Sequence, residues 1–169
     1  IPLTIVGSVL KANIKAKTKA GAFGSIGRGM TGKGKVYAIA FLSTDTQPPS
    51  MNNMNDHAIC QTPEVPAGDD PEWRTSFTAR ITHETYFKVA VYQTTMTGQK
   101  DLESAIVNLT SDILMRLVQN PQVATTLAFP LSQGGSMQVE FRLQEDPRHK
   151  FDTVRGMRSL LHSVSQCKS

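Results

Sequence analysis

The sequence predicts an all-β fold, an eight-stranded antiparallel β-sandwich, on three observations. Eight segments rich in β-branched and aromatic residues either alternate apolar with polar side chains or run apolar throughout. Between them lie stretches dense in Gly, Pro, Asn and Asp, the residues that turn a chain. Only one short internal helix pattern, Thr110 to Asn120, interrupts the series. Short strands punctuated in this way bury their apolar faces by packing as two sheets.

The first segment, residues 2 to 14, alternates Leu3, Ile5, Gly7 and Val9 with Thr4, Val6 and Ser8, which gives a strand with one buried face. KVYAIAFLS, Lys35 to Ser43, is apolar on both faces except at its ends and so belongs at the centre of a sheet. The polar, Pro-containing run Thr44 to Asp56 is a loop, and His57 to Glu64 is a third, shorter strand. In the fourth strand Trp73, Thr75, Phe77, Ala79 and Ile81 share a face opposite Arg74, Ser76, Thr78 and Arg80. Tyr86 to Thr94 is the fifth, with Phe87, Val89 and Val91 on one side and Lys88 and Tyr92 on the other. TMTGQKD is expected as a loop around Gly98 and Ser104 to Leu109 as a short sixth strand.

In the helix pattern Ile113, Leu114, Leu117 and Val118 form the apolar face, Thr110 or Ser111 is placed to cap the start, and Pro121 ends it. TTLAFPLS and SMQVEFRLQ form a closing hairpin with Met137, Val139, Phe141 and Leu143 inward. After Pro147 the pattern changes. Phe151, Val154, Met157, Leu160, Leu161 and Val164 recur every three to four residues, with Lys150, Arg155, Arg158 and His162 mostly elsewhere on the wheel, so a C-terminal amphipathic helix weakened by Gly156 is expected. The expected division is a sandwich over residues 1–146 and a helical extension or linker over 147–169. At 169 residues and 18.5 kDa one well-buried core is the default. No apolar run approaches the ~18 residues of a membrane span. IPLTIVGSVL lacks a basic n-region and a small-residue cleavage site, and the expectation is a segment excised from a longer protein.

Charge is distributed unevenly. Lys11, Lys15, Lys17, Lys19, Arg28, Lys33 and Lys35 place seven of the 18 bases in the first 35 residues, and the first carboxylate is Asp45. The remainder holds 11 bases against 14 acids, so the net charge of +4 averages two unlike regions. Six glycines between Gly21 and Gly34 defeat helix and strand alike, which makes the basic stretch a long loop carrying Phe23, Ile26 and Met30 as its apolar residues.

The residue types needed for catalysis are present but not grouped. His57, His83, His149 and His162 are scattered, and Cys60 and Cys167 have no metal spacing and form a poor disulfide framework, so two free thiols are expected. No nucleophile elbow or phosphate-binding loop motif occurs, and GAFGSIGRG, residues 21 to 29, is not followed by an apolar-periodic helix. The expectation is a non-enzyme with no cofactor and no metal.

DPEWRTSFTARI, Asp70 to Ile81, with Pro, one residue, Trp and then alternating positions through Phe77, resembles the NPxWxExFxFxV signature of the C2 domain family. VYQTTMTGQKDLES, Val91 to Ser104, is similar to that family's VYDxDxxxxxDxxG loop, Tyr37 stands where DPYV has its Tyr, and residues 134 to 143 resemble the closing strand. The resemblance covers about residues 2 to 145, and the order of segments resembles the type II circular topology. In the family, five carboxylates from two loops hold calcium, which as a hard cation needs charged oxygen ligands. Here Gln93 and Thr95 take the two Asp positions after Tyr92, Lys35 aligns with the Asp of DPYV, and only Asp101 survives. The resemblance therefore implies a divergent, calcium-independent member.

From this follows the expected function: a targeting module that attaches a larger protein to an anionic phospholipid membrane surface, placing it in the cytoplasm and peripheral to the membrane. The expected lipid-contact residues are the bases Lys15, Lys17, Lys19, Arg28, Lys33 and Lys35, with Phe23, Ile26 and Met30 inserting. The alternative is a protein-protein interaction or scaffold module with no lipid binding. Nucleic acid is the disfavoured partner, since Phe23 is the stretch's only aromatic and no Arg-rich reading element occurs. A lysine cluster on a sheet face is not expected, for Arg80 and Lys88 alone are too few.

Overall fold

The structure, a computed structural model, describes residues 3–17 and 34–144. The expected C-terminal helix and the middle of the basic stretch lie outside the described residues. Strand β1 is Leu3–Asn13, β2 Lys35–Ser43, β3 Asp56–Gln61, β4 Val65–Pro66, β5 Glu72–Ile81, β6 Tyr86–Thr95, β7 Gly98–Asn108, β8 Thr125–Pro130 and β9 Ser136–Leu143. One sheet runs β5-β1-β9-β8 and the other β3-β2-β6-β7, with the two-residue β4 attached to β2. All pairings are antiparallel. Apart from β4, these are the eight strands of an antiparallel sandwich.

Alternation decides which side of each strand faces the other sheet. Ile5 and Val9 of β1, Trp73, Phe77 and Ile81 of β5, and Met137, Val139 and Phe141 of β9 meet Val36, Ala38, Leu42, Phe87 and Val91 in one continuous core. Phe141 is its aromatic centre, with ring centroids 5.2 Å from Phe87 and 6.1 Å from both Phe77 and Phe129. Gly7 is where β1 passes closest to its neighbours. A Cβ there would meet the Glu140 carbonyl and lie 2.6 Å from the Phe77 ring, so only glycine fits the register that places Phe77 opposite it. β2 sits between β3 and β6 and is buried from Val36 to Ser43, as its two-sided apolar run requires.

Two local expectations are corrected. The loop expected between Thr95 and Asp101 is a tight turn, and β7 begins at Gly98, so Lys100 and Asp101 are strand residues opposite Gln93 and Tyr92. Polar side chains hide this strand from the sequence, but its backbone completes the ladder of β6, and Gly98 at φ 137° supplies the turn. The internal helix is a π-helical turn, Leu109–Leu114, running into α1, Met115–Gln119. Its cap is Asn108, whose Oδ1 accepts the Ser111 N–H at 2.9 Å while Asp112 accepts the Asn108 N–H at 2.9 Å. This reciprocal pair replaces the Thr110 or Ser111 cap. Lys88 lies on the face of β6 expected for it, and what the alternation does not show is its burial. It is fully buried, its Nζ 2.7 Å from both Asp45 and Asp56.

Candidate functional site

The basic stretch leaves and re-enters the sandwich at one end, called here the upper end. There β1 finishes, β2 begins, and the β4–β5 loop and the turns β6–β7 and β8–β9 gather. Glu103 of β7 fixes the exit. Though only 3 % exposed, it accepts four backbone N–H bonds: Lys15 at 2.6 Å and Ala16 at 3.1 Å on Oε2, Gln133 at 2.9 Å and Gly135 at 3.0 Å on Oε1. A carboxylate collecting donors from two loops ties the end of β1 to the β8–β9 turn. Lys100 Nζ then donates to the Lys17 carbonyl at 3.0 Å. At the return, Gly34 takes φ 72° beneath the Thr94 carbonyl, and its own carbonyl accepts the Ala67 N–H at 3.0 Å.

Of the nine expected contact residues, Lys15, Lys17 and Lys35 are exposed at this end. Lys19, Phe23, Ile26, Arg28, Met30 and Lys33 lie outside the described residues. Sequence reasoning missed Lys100 and Met96, the latter 70 % exposed at the tip of the β6–β7 turn. The signal available for Met96 was an apolar residue set between Thr95 and Thr97 next to Gly98.

The same end carries carboxylates. Asp69, Asp70, Glu64 and Asp101 are exposed; Glu64 accepts the Thr94 hydroxyl at 2.7 Å and Asp70 accepts the Asn13 amide at 2.8 Å. Lys15, Lys17, Lys35 and Lys100 stand exposed beside these carboxylates. The Tyr37 hydroxyl donates to Gln99, and burial first, then Glu64 and Asp101, raise its pKa. Burial, followed by Asp101, Tyr37 and Asp56, pushes Tyr92 up to about 12.

Gln93 is buried, and Thr95 turns its hydroxyl to the Gly98 carbonyl at 3.0 Å, so the two former Asp positions of the resembled motif serve the strand and its turn. Among the described residues no three of His, Cys, Asp or Glu group so as to hold a metal ion. Cys60 is a free, buried thiol that desolvation pushes up to about 11, too weak an acid to serve as a nucleophile. The chemistry available at the upper end is attraction of anions by exposed ammonium groups beside an exposed thioether.

No family model and no curated protein matches the sequence. Solved structures do match the fold. Human GIVD cytosolic phospholipase A2 aligns over 86 % of this chain at 17 % identity and TM-score 0.56, and the chain spans 18 % of that protein. The first C2 domain of plant extended synaptotagmin 1 aligns over 85 % of this chain and 95 % of its own at 14 % identity and TM-score 0.57. The calcium-bound pair of C2 domains from extended synaptotagmin 2 aligns over 85 % of this chain and 46 % of its own at 12 % identity and TM-score 0.55. Among the described residues no helix is long and apolar enough to cross a membrane. The likeness of its two antiparallel sheets to these structures, at TM-scores of 0.55 to 0.57, gives this chain the fold of a divergent C2 domain.

Proposed function

We propose that the domain is a calcium-independent targeting module that holds a larger protein at an anionic phospholipid surface through its upper end. The observation that carries the reading is the anchoring of both described ends of the basic stretch. Glu103 and Lys100 hold the exit, Gly34 and Ala67 the return, and Lys15, Lys17 and Lys35 stand exposed beside Met96. Bases between these anchors are thereby offered at one end rather than spread over the sandwich. Each base near an anionic surface contributes about 1 kcal/mol, so several together give attraction that salt weakens. Calcium has no part in the reading because Lys35, Gln93 and Thr95 stand at positions where the resembled loops carry acids, with Asp101 alone retained. No catalytic step or cofactor is assigned, and the site of action is the cytoplasmic face of a membrane, held peripherally.

Co-sedimentation with vesicles tests this. Vesicles containing phosphatidylserine should carry the protein down at low salt, release it at high salt and behave alike with calcium or chelator, while neutral vesicles should leave it in the supernatant. Failure to bind acidic vesicles at low salt would overturn the membrane reading and leave the scaffold alternative, which the four carboxylates at this end favour as a mixed-charge docking surface. A requirement for calcium would overturn the calcium-independent part.

A further inference from the structure

The sheet β3-β2-β6-β7 is apolar on both faces. Its inner face, with Val36, Ala38, Ala40 and Leu42 of β2 and Phe87, Val89 and Val91 of β6, belongs to the main core. Its outer face carries a separate cluster of Tyr37, Ile39, Phe41, Ala90 and Tyr92, in which the two tyrosine rings stack at 5.5 Å. The outer side of an antiparallel sandwich sheet is ordinarily the polar side. Here Phe41 is 0 % and Ile39 2 % exposed. Among the described elements, those adjoining β2 and β6 are their sheet neighbours and the helical segment, whose buried residues lie in the main core. Asp45 of the β2–β3 loop and Asp56 of β3 reach this face at its lower end, through Lys88.

We propose that the middle of this face is covered by the C-terminal segment of the same chain, residues 150–164, docking through Phe151, Val154, Met157, Leu160, Leu161 and Val164. The spacing of these residues makes one apolar stripe on a helix. The reach is sufficient. Gln144, the last described residue, is held by its N–H to the Thr4 carbonyl at 3.0 Å at the lower end of the sandwich, and the six residues to Lys150 span up to ~20 Å against ~10 Å between packed sheets. Fourteen helical residues rise ~21 Å, enough to cover the ~13 Å from Tyr37 to Phe41. Charge is complementary: Asp101 and Glu64 act on the tyrosines at the upper edge of the cluster, and the segment carries Lys150, Arg155 and Arg158.

Hydroxyl-radical footprinting of the whole chain tests the assignment. In Leu160→Asp/Leu161→Asp the oxidation of Tyr37, Phe41 and Tyr92 should rise several-fold, while Trp73 and Phe141 stay protected and so report an intact sandwich. The same residues should be unchanged in Phe23→Asp/Ile26→Asp and on dilution of the unsubstituted chain. Wild-type oxidation in the tail variant overturns the proposal. So does a rise confined to the Phe23 and Ile26 variant, which assigns the face to the basic stretch, or a rise on dilution, which assigns it to a second copy. A readout without substitution is the nuclear Overhauser effect between the Met157 methyl and the Tyr92 or Tyr37 ring in the wild-type chain; its absence likewise overturns the proposal.

Discussion

Trp73 and Lys88 show how differently single residues are read. Trp73 lies on the inward face of β5, 8 % exposed, with its indole N–H donated to the Val36 carbonyl at 3.3 Å. Trp73→Ala should cost about 3–5 kcal/mol in urea unfolding, since it leaves a large cavity and an orphaned carbonyl. Alternation alone places that side chain inward. Lys88, on the outward face by the same rule, is buried against Asp45 of the β2–β3 loop and Asp56 at the start of β3, both far along the chain. Lys88→Met leaves the fully buried Asp56 carboxylate without its counter-charge and should destabilise by about 3–5 kcal/mol. Lys88 first, then Asn53 and Asn55, hold the Asp45 carboxyl well below the usual carboxylate range. Its contribution to stability is therefore complete above the ordinary Asp value of about 3.9 and is lost as pH falls below it. Melting temperature between about pH 5 and 2 should fall less steeply in Asp45→Asn than in the wild type.

Among the elements, β2 was legible to the residue because nine successive positions read as a two-sided apolar strand. β7 was legible only from Ser104 onward. Its first half is polar, and it is a strand because β6 offers it hydrogen bonds, a cause that lies in another segment. The helical segment kept its apolar face but not its cap, since Asn108 competes successfully with the hydroxyls after it. The upper-end loops depend on Glu103 in a way no local pattern announces. Gly135 sits 2.7 Å, measured from a hypothetical Cβ, from Glu103 Oε2, so the glycine clears the space that the carboxylate fills. Glu103→Ala should strip exchange protection from the amides of Lys15, Ala16, Gln133 and Gly135, leave the β2–β6 ladder protected, and cost about 2 kcal/mol, because it orphans one buried and three part-buried donors. Uniform protection in the variant would contradict that role.

For the whole molecule, separation of charge from core is the functional point. The sandwich fixes one end as the place where the basic stretch departs and returns, and the lysines there can be altered without touching the core. Lys15→Ala/Lys17→Ala/Lys35→Ala should keep the wild-type melting temperature and weaken binding to acidic vesicles by up to about 3 kcal/mol, roughly 100-fold at low salt, with a shallower salt dependence. An unchanged affinity would move the binding surface away from this end.

The sequence by itself determined the fold class, the inward faces of most strands and the concentration of early bases, since each rests on periodicity or composition within one segment. Tertiary structure alone decided the burial of Lys88, the four-donor grip of Glu103 and the gathering of carboxylates beside the lysines of the upper end. Those features arise where residues distant in sequence meet, and an ammonium or carboxylate takes its meaning from the partner that meets it.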